Sequence, residues 1–194
     1  MNDRPRGRRP APPPETSPVL SLDVRAQSRR WHDLGNLAQL RALIGEALAA
    51  DLAVAPRKPM PGAELSLLLT DDRRIRIVNR DWRGFDKATN VLSFPAAPPE
   101  RIARSPLLGD IVIAYETVVR EAEAEGRSVA DHLRHLAIHG LLHLLGEDHE
   151  TEAQARRMEA LEVAALARLG VSDPYAGAEL VMAPAPSSAQ PLRP

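Results

Sequence analysis

Apolar and polar residues alternate from Val19 to Val24 (VLSLDV), the period of a half-buried strand. From Leu34 to Leu52 the period changes: Leu37, Leu40, Leu43, Ile44, Ala47 and Leu48 recur at helical spacing, with Asn36 placed to cap the helix by accepting a first-turn N–H. ELSLLLT at Glu64 to Thr70 predicts a second strand, and Asp71-Asp72 predicts the cap of a helix holding Ile75, Ile77, Val78 and Trp82. Val91 to Phe94 is a short apolar run closed by Pro95; proline has no N–H to donate, so an edge strand is expected. Ile111 to Ile113 reads as a further strand, Glu116 to Glu125 as a helix stopped by Gly126, and Ser128 to Asp131 as a capping box opening a helix that runs to about Leu145 and stops at Gly146. A last helix covers Glu152 to Leu169, before Gly170. Strands alternating with helices predict an α/β (α+β) fold, a single domain with a small mixed sheet of about four strands packed by about five helices.

Composition sharpens this picture by exclusion. Hydrophobic residues at 44% and charged residues at 26% are those of a folded domain. Aromatics at 3% are too scarce for a binding surface built mainly from stacked bases. Because 25 Lys+Arg face 26 Asp+Glu, attraction to a polyanion has to come from a local basic surface. The chain has no cysteine, so a metal site must use His, Asp or Glu. Residues 1–18 are basic and proline-rich and 183–194 are rich in Pro and Ser, so both are expected to be flexible tails around a domain at 19–182. The basic N-terminus leads into no apolar run of secretory length, and no stretch is long and apolar enough to span a bilayer; a cytoplasmic protein is expected.

The chemistry concentrates in His139-Gly-Leu-Leu-His143-Leu-Leu-Gly146-Glu-Asp-His149. Residues four apart on a helix project from one face, so the imidazoles of His139 and His143 can share an ion. Gly146 permits the left-handed backbone that turns the chain back and can bring His149 round as third ligand. Three nitrogens leave a coordination position open, as in catalytic rather than structural zinc sites. His135 lies four residues before His139 and offers an alternative pair, but one turn further from the bend; with His132 on the same helix, it is expected to be packed or solvent-facing. Glu147 and Asp148 could orient an imidazole N–H or be solvated at the helix end. His32 stands outside any motif.

The spacing H-x-x-x-H-x-x-G-x-x-H is that of metzincin zinc peptidases, which place a glutamate directly after the first histidine. Here that position is Gly140, which cannot take a proton from water, so the donor set is kept while the proteolytic base is missing.

Three separated motifs then carry a specific resemblance. The histidine segment 139–149, the upstream stretch Asn79 to Pro95 (NRDWRGFDKATNVLSFP) and Leu108-Gly109-Asp110-Ile111 together resemble the bacterial YbeY family of rRNA maturation factors, in the same order and spacing, over roughly residues 20–175. The resemblance implies a metal-dependent endoribonuclease acting on single-stranded RNA in 16S rRNA 3′-end maturation and ribosome quality control. It implies one Zn2+ per chain held by His139, His143 and His149, an arginine at Arg83 facing the metal, and the small ribosomal subunit and an assembly GTPase as partners. Two positions depart from the family pattern: Glu147 where tyrosine is common and Ala88 where proline is frequent.

On physical grounds a phosphodiester under attack gathers negative charge on its non-bridging oxygens, which a guanidinium can bind with two N–H groups; Arg83 is the candidate. Basic residues outnumber acids between 71 and 104, while acids outnumber bases between 110 and 165, so RNA would meet a positive wall only if the fold carries the first stretch to the metal. Arg73, Arg74 and Arg76 are expected on a solvated helix face, and Thr89, Asn90 and Ser93 either contact the substrate or merely shape the turn. Two other classes compete: an assembly factor whose metal is structural, and a metallohydrolase of another substrate.

Overall fold

The computed structural model describes residues 20–176. The tails assigned to 1–18 and 183–194, and the domain ends at 19 and 177–182, lie outside the described residues. Each predicted element is present within that span: strands β1 (Ser21–Ala26), β2 (Glu64–Thr70), β3 (Val91–Pro95) and β4 (Leu107–Ala114), and helices α1 (Leu37–Val54), α2 (Asp72–Arg83), α3 (Tyr115–Ala124), α4 (Val129–Leu144) and α5 (Glu152–Ala167). Local chemistry sets the helix starts. The Asn36 side chain accepts from Gln39 N while the Gln39 side chain accepts from Asn36 N, and Thr151 and Gln154 cap α5 in the same reciprocal manner. Asp71 and Ser128 cap α2 and α4 by accepting from Arg74 N and Asp131 N. The capping box expected at Ser128 is not completed, because the Asp131 carboxylate takes the Ser128 hydroxyl rather than its backbone N–H.

The strands form one sheet in the order β1-β2-β4-β3, with β1, β2 and β4 parallel and β3 antiparallel on β4. β3 is an edge, as Pro95 requires. β4 is longer than the apolar run Ile111 to Ile113 suggests, because Leu107 and Gly109 continue the pairing with β2. Two 3-10 turns, Arg29–Leu34 and Pro99–Arg104, have no periodic signal; each is anchored by one buried apolar residue, Trp31 and Ile102.

Helices α1 and α4 cover one face of the sheet, with α5 packed on both of them, and bury Leu65, Leu67, Leu69, Ile111 and Ile113 with Ile44, Leu48, Leu141 and Leu166 in the main core. A smaller cluster on the other face joins Ile75 of α2 to Leu92, Val112 and Ala114. Burial at roughly 25 cal/mol per Å² of apolar surface makes the first cluster the principal source of stability, and α4 runs through it. α4 packs so closely on the sheet that a Cβ on Gly140 would lie 3.0 Å from Ile111 Cδ1 and 3.1 Å from Ser93 Oγ. Any side chain at 140 would therefore press on its neighbours in the sheet. Among the described residues no helix is long and apolar enough to cross a membrane.

Candidate metal centre

His139 and His143 project from one face of the last turns of α4. The helix then closes with a pair of backbone bonds, Gly146 N to His143 O (3.0 Å) and Glu147 N to Leu142 O (2.9 Å), with Gly146 in the left-handed region at φ 81°. Only glycine fits there, for a Cβ would also meet Pro99 Cγ at 2.6 Å. The reversal is braced from outside: Arg57 Nη1 donates to the carbonyls of Leu145 (3.3 Å) and Gly146 (3.2 Å) and to Glu147 Oε1 (2.9 Å), and Arg157 Nε pairs with Glu147 Oε2 (3.1 Å). This rigid turn brings His149 back to the helix, with its ring centroid 5.0 Å from that of His143 and 5.6 Å from that of His139.

The ring nitrogens are assigned by their neighbours. His139 Nδ1 lies 2.8 Å from Glu162 Oε1, and His143 Nδ1 lies 3.1 Å from the Glu147 carbonyl oxygen. With both Nδ1 positions facing fixed acceptors, they carry the protons, and the two Nε2 lone pairs face each other at 3.0 Å. Two lone pairs so placed repel unless a cation lies between them. Two nitrogens bound at about 2.0–2.1 Å to one tetrahedral ion stand about 3.3 Å apart, so the observed spacing fits with little movement. One ligand atom from each of His139, His143 and His149 falls within a 4.8 Å group. Burial, and then the neighbouring imidazoles of His139 and His149, push His143 down to about 4, so it is neutral and able to ligate at physiological pH.

Glu162 was not anticipated. It lies on α5, is 1% exposed, and bridges His139 and His135, with Oε2 2.7 Å from His135 Nε2. Burial alone would raise its carboxyl, but the hydrogen bonds and charge of His135 and His139 outweigh that and hold it at about 2. Tyr175 donates to the same carboxylate, and burial followed by the Glu162 charge raises the Tyr175 hydroxyl well above its usual range. One sign in the sequence pointed to it: an acid occupies the Met158, Glu162, Leu166 stripe, where i, i+4, i+8 spacing on α5 calls for apolar residues. Of the two acids in the turn, Glu147 serves His143 through its backbone carbonyl while its side chain faces Arg57 and Arg157; Asp148 Oδ1 stands 4.0 Å from His143 Nδ1 and accepts from His149 N. His135 is packed, and His132 is 3% exposed against Glu121.

The three histidines line a cleft of about 570 Å³ together with Arg83, Thr89, Asn90, Val91 and Ser93. Arg83 arrives from the end of α2, followed by Gly84, and the loop back to β3 is pinned by Asn79 Nδ2 donating to Lys87 O (2.9 Å) and by a two-pronged Arg76–Asp86 pair at 2.8 Å. Asp81 occupies Arg80 and Asp71 occupies Arg74, whereas Arg83 and Lys87 have no carboxylate partner among the described residues. Thus the fold does carry part of the basic stretch to the histidines. Asn90 is committed to structure, its Nδ2 on Glu121 and its Oδ1 on Val91 N; the Ser93 hydroxyl is buried without a partner.

Residues 26–170 match the family model described as Endoribonuclease YbeY. The chain belongs to the YbeY endoribonuclease family. Proteins of that name align over most of their length: one from Azorhizobium caulinodans is 49% identical over 158 residues, covering 81% of this chain and 97% of the relative. Another, from Rhizobium etli, is 54% identical over 168 residues, covering 85% and 98%. A YbeY endoribonuclease from Rhodopseudomonas palustris reaches 60% over 122 residues, covering 62% of this chain and 64% of its own. The solution structure of TM1509 from Thermotoga maritima aligns at 19% identity with a TM-score of 0.42, covering 84% of this chain and 99% of that one, too loose a likeness for residue-level comparison. The YbeY match spans the whole route from β2 to the end of α5, and so includes Arg83 and all three histidines.

Proposed function

We propose that this YbeY-family chain is a zinc-dependent endoribonuclease that cuts single-stranded RNA, acting in 16S rRNA 3′-end maturation and ribosome quality control in the cytoplasm. In this reading residues 19–182 are the catalytic domain, and His139, His143 and His149 hold one zinc ion per chain. The small ribosomal subunit and an assembly GTPase are the partners that family membership suggests. One observation carries the proposal: two Nε2 lone pairs converge beside a third histidine, and Arg83 lines the same cleft.

Zinc bound at such a site supplies a Lewis acid for a phosphoryl oxygen and lowers the pKa of a coordinated water toward about 7. The chain's own groups do the rest. Glu162 and the Glu147 carbonyl hold the Nδ1 protons, so both Nε2 atoms point into the cleft. Arg83, with no carboxylate to neutralise it among the described residues, offers two N–H groups to the phosphodiester as charge develops. Its loop is pinned at Asn79 and Asp86, which keeps the guanidinium near the histidines. Gly140 has no side chain to take a proton from water, and one added there would press on the Ile111 and Ser93 side chains, which speaks against a peptidase.

The test is metal analysis of the purified protein joined to cleavage of a defined single-stranded RNA with and without chelator. One zinc per chain and cleavage that chelator abolishes are expected. Cleavage that survives complete removal of metal would overturn the reading. Metal retained without cleavage would favour an assembly factor with a structural ion. Arg83→Ala is expected to keep the zinc and the fold while cleavage falls by about 10²-fold or more, the usual effect of losing one transition-state donor; unchanged cleavage removes Arg83 from the mechanism.

A further inference from the structure

The two tryptophans have opposite environments. Trp31 is fully buried and donates to Thr70 O (2.9 Å), whereas Trp82 is 75% exposed. Trp82 packs edge-on against Phe94, with ring centroids 5.7 Å apart and planes at 61°. Together with Leu68, Pro95 and Val112 they wall a groove of about 500 Å³ on the sheet face that α2 leaves partly open, and Ser66 and Asp110 contribute its polar groups. This groove and the metal cleft share Pro95. Side chains along β3 alternate between them: Val91 and Ser93 line the cleft, and Phe94 lines the groove. The last two residues of α2 divide likewise, Arg83 to the cleft and Trp82 to the groove.

Resting on the ribonuclease reading, we propose that Trp82 and Phe94 form a stacking site for one unpaired base of the RNA, next to the phosphate held by Arg83. A nucleotide chain gripped at Arg83 needs only to cross the β3 edge at Pro95 to place its neighbouring base on the exposed indole. The carboxylate of Asp110 decides what enters: it repels a phosphate, yet accepts N–H groups from a base edge, so the base occupies the groove while the backbone stays on the Arg83 side. One aromatic platform serves one base, which is compatible with a chain so poor in aromatics.

Two measurements test this. Trp82→Ala is expected to raise KM for a short single-stranded RNA by between about fivefold and a hundredfold, with the loss falling more in KM than in kcat, and Trp82→Phe to recover most of it. Removing the base on one side of the cleaved bond, then on the other, with an abasic nucleotide should cost the wild type a similar factor on one side and cost the Trp82→Ala variant little there. Independent penalties, or an unchanged KM, would overturn the site; so would an RNA-insensitive Trp82→Ala variant that instead loses binding to a ribosomal protein, which would make the groove a protein-docking surface. Trp82 emission of the zinc-loaded protein is then followed on rapid mixing with increasing RNA, before cleavage, Trp31 serving as the buried background. Saturable quenching is expected; its absence overturns the site. Because no cleavage is needed in this second measurement, failure of the stacking site is distinguishable from failure of the ribonuclease reading.

Discussion

The two halves of α4 carry the same side chain for different ends. In the first half, the outer nitrogens are taken: His132 Nε2 meets Glu121 Oε2 at 2.9 Å, and His135 Nε2 meets Glu162 Oε2 at 2.7 Å. In the second half the inner nitrogens are taken, His139 Nδ1 by Glu162 Oε1 and His143 Nδ1 by a carbonyl, and the outer ones converge. His135, His139 and His143 are each separated by four residues, so spacing makes them equivalent. The difference lies in which ring nitrogen a neighbour occupies. A histidine whose Nε2 is held by a carboxylate is a packed partner, and one whose Nδ1 is held presents Nε2 as a ligand. Glu162 does both at once, one oxygen to each neighbour.

This contrast can be broken in four ways, in falling order of effect. His143→Ala removes one of the two converging lone pairs. Zinc content is expected to drop below one ion per chain and RNA cleavage to be lost; full occupancy in that variant, by elemental analysis, would end the ligand assignment. Glu162→Gln keeps the shape but removes the charge that fixes the His139 ring. Zinc affinity measured by chelator competition should weaken by about 10–100-fold, and an unchanged affinity would show that the ring needs no such anchor.

Acid supplies the third test, on metal-free protein. Folded His143 takes its proton near 4, below the 6.5 of an unperturbed imidazole, so between those values the unfolded chain binds a proton that the folded chain refuses. Stability contributed at this site is therefore whole above about 6.5 and is lost as pH falls toward 4. The melting temperature of the chelated wild type should decline through that window more steeply than that of His143→Ala; parallel curves would contradict the burial of His143. The smallest effect is expected from His135→Gln, which should leave one zinc bound and alter affinity less than Glu162→Gln does. A loss of zinc equal to that of His143→Ala would make the two halves of the helix equivalent after all.

Much of the fold was legible because its signals are local. Caps at Asn36, Asp71 and Ser128, the Pro95 edge and the glycine stops each depend on a few neighbouring residues, and the elements sit within a few positions of where periodicity puts them. The 3-10 turns at Arg29–Leu34 and Pro99–Arg104 were not legible, since each rests on a single buried side chain rather than on a period. In the site, the three histidines and Arg83 were visible as residue types in a pattern, while the Glu147 side chain was open between two roles and turned out to brace the turn. Glu162 and Tyr175 escaped because a lone acid on a helix and a tyrosine after it have no pattern that names their partner.

By itself the order of residues determined that His139 and His143 share a helix face, that Gly146 reverses the chain, and that position 140 bears no proteolytic base, because each follows from bond geometry within one or two turns. Only the tertiary structure decided that α5 reaches α4 with Glu162 and that the end of α2 delivers Arg83 beside the histidines. Those meetings join segments dozens of positions apart, and they are set by how the helices pack on a twisted sheet, a property of the assembled core that no local period encodes.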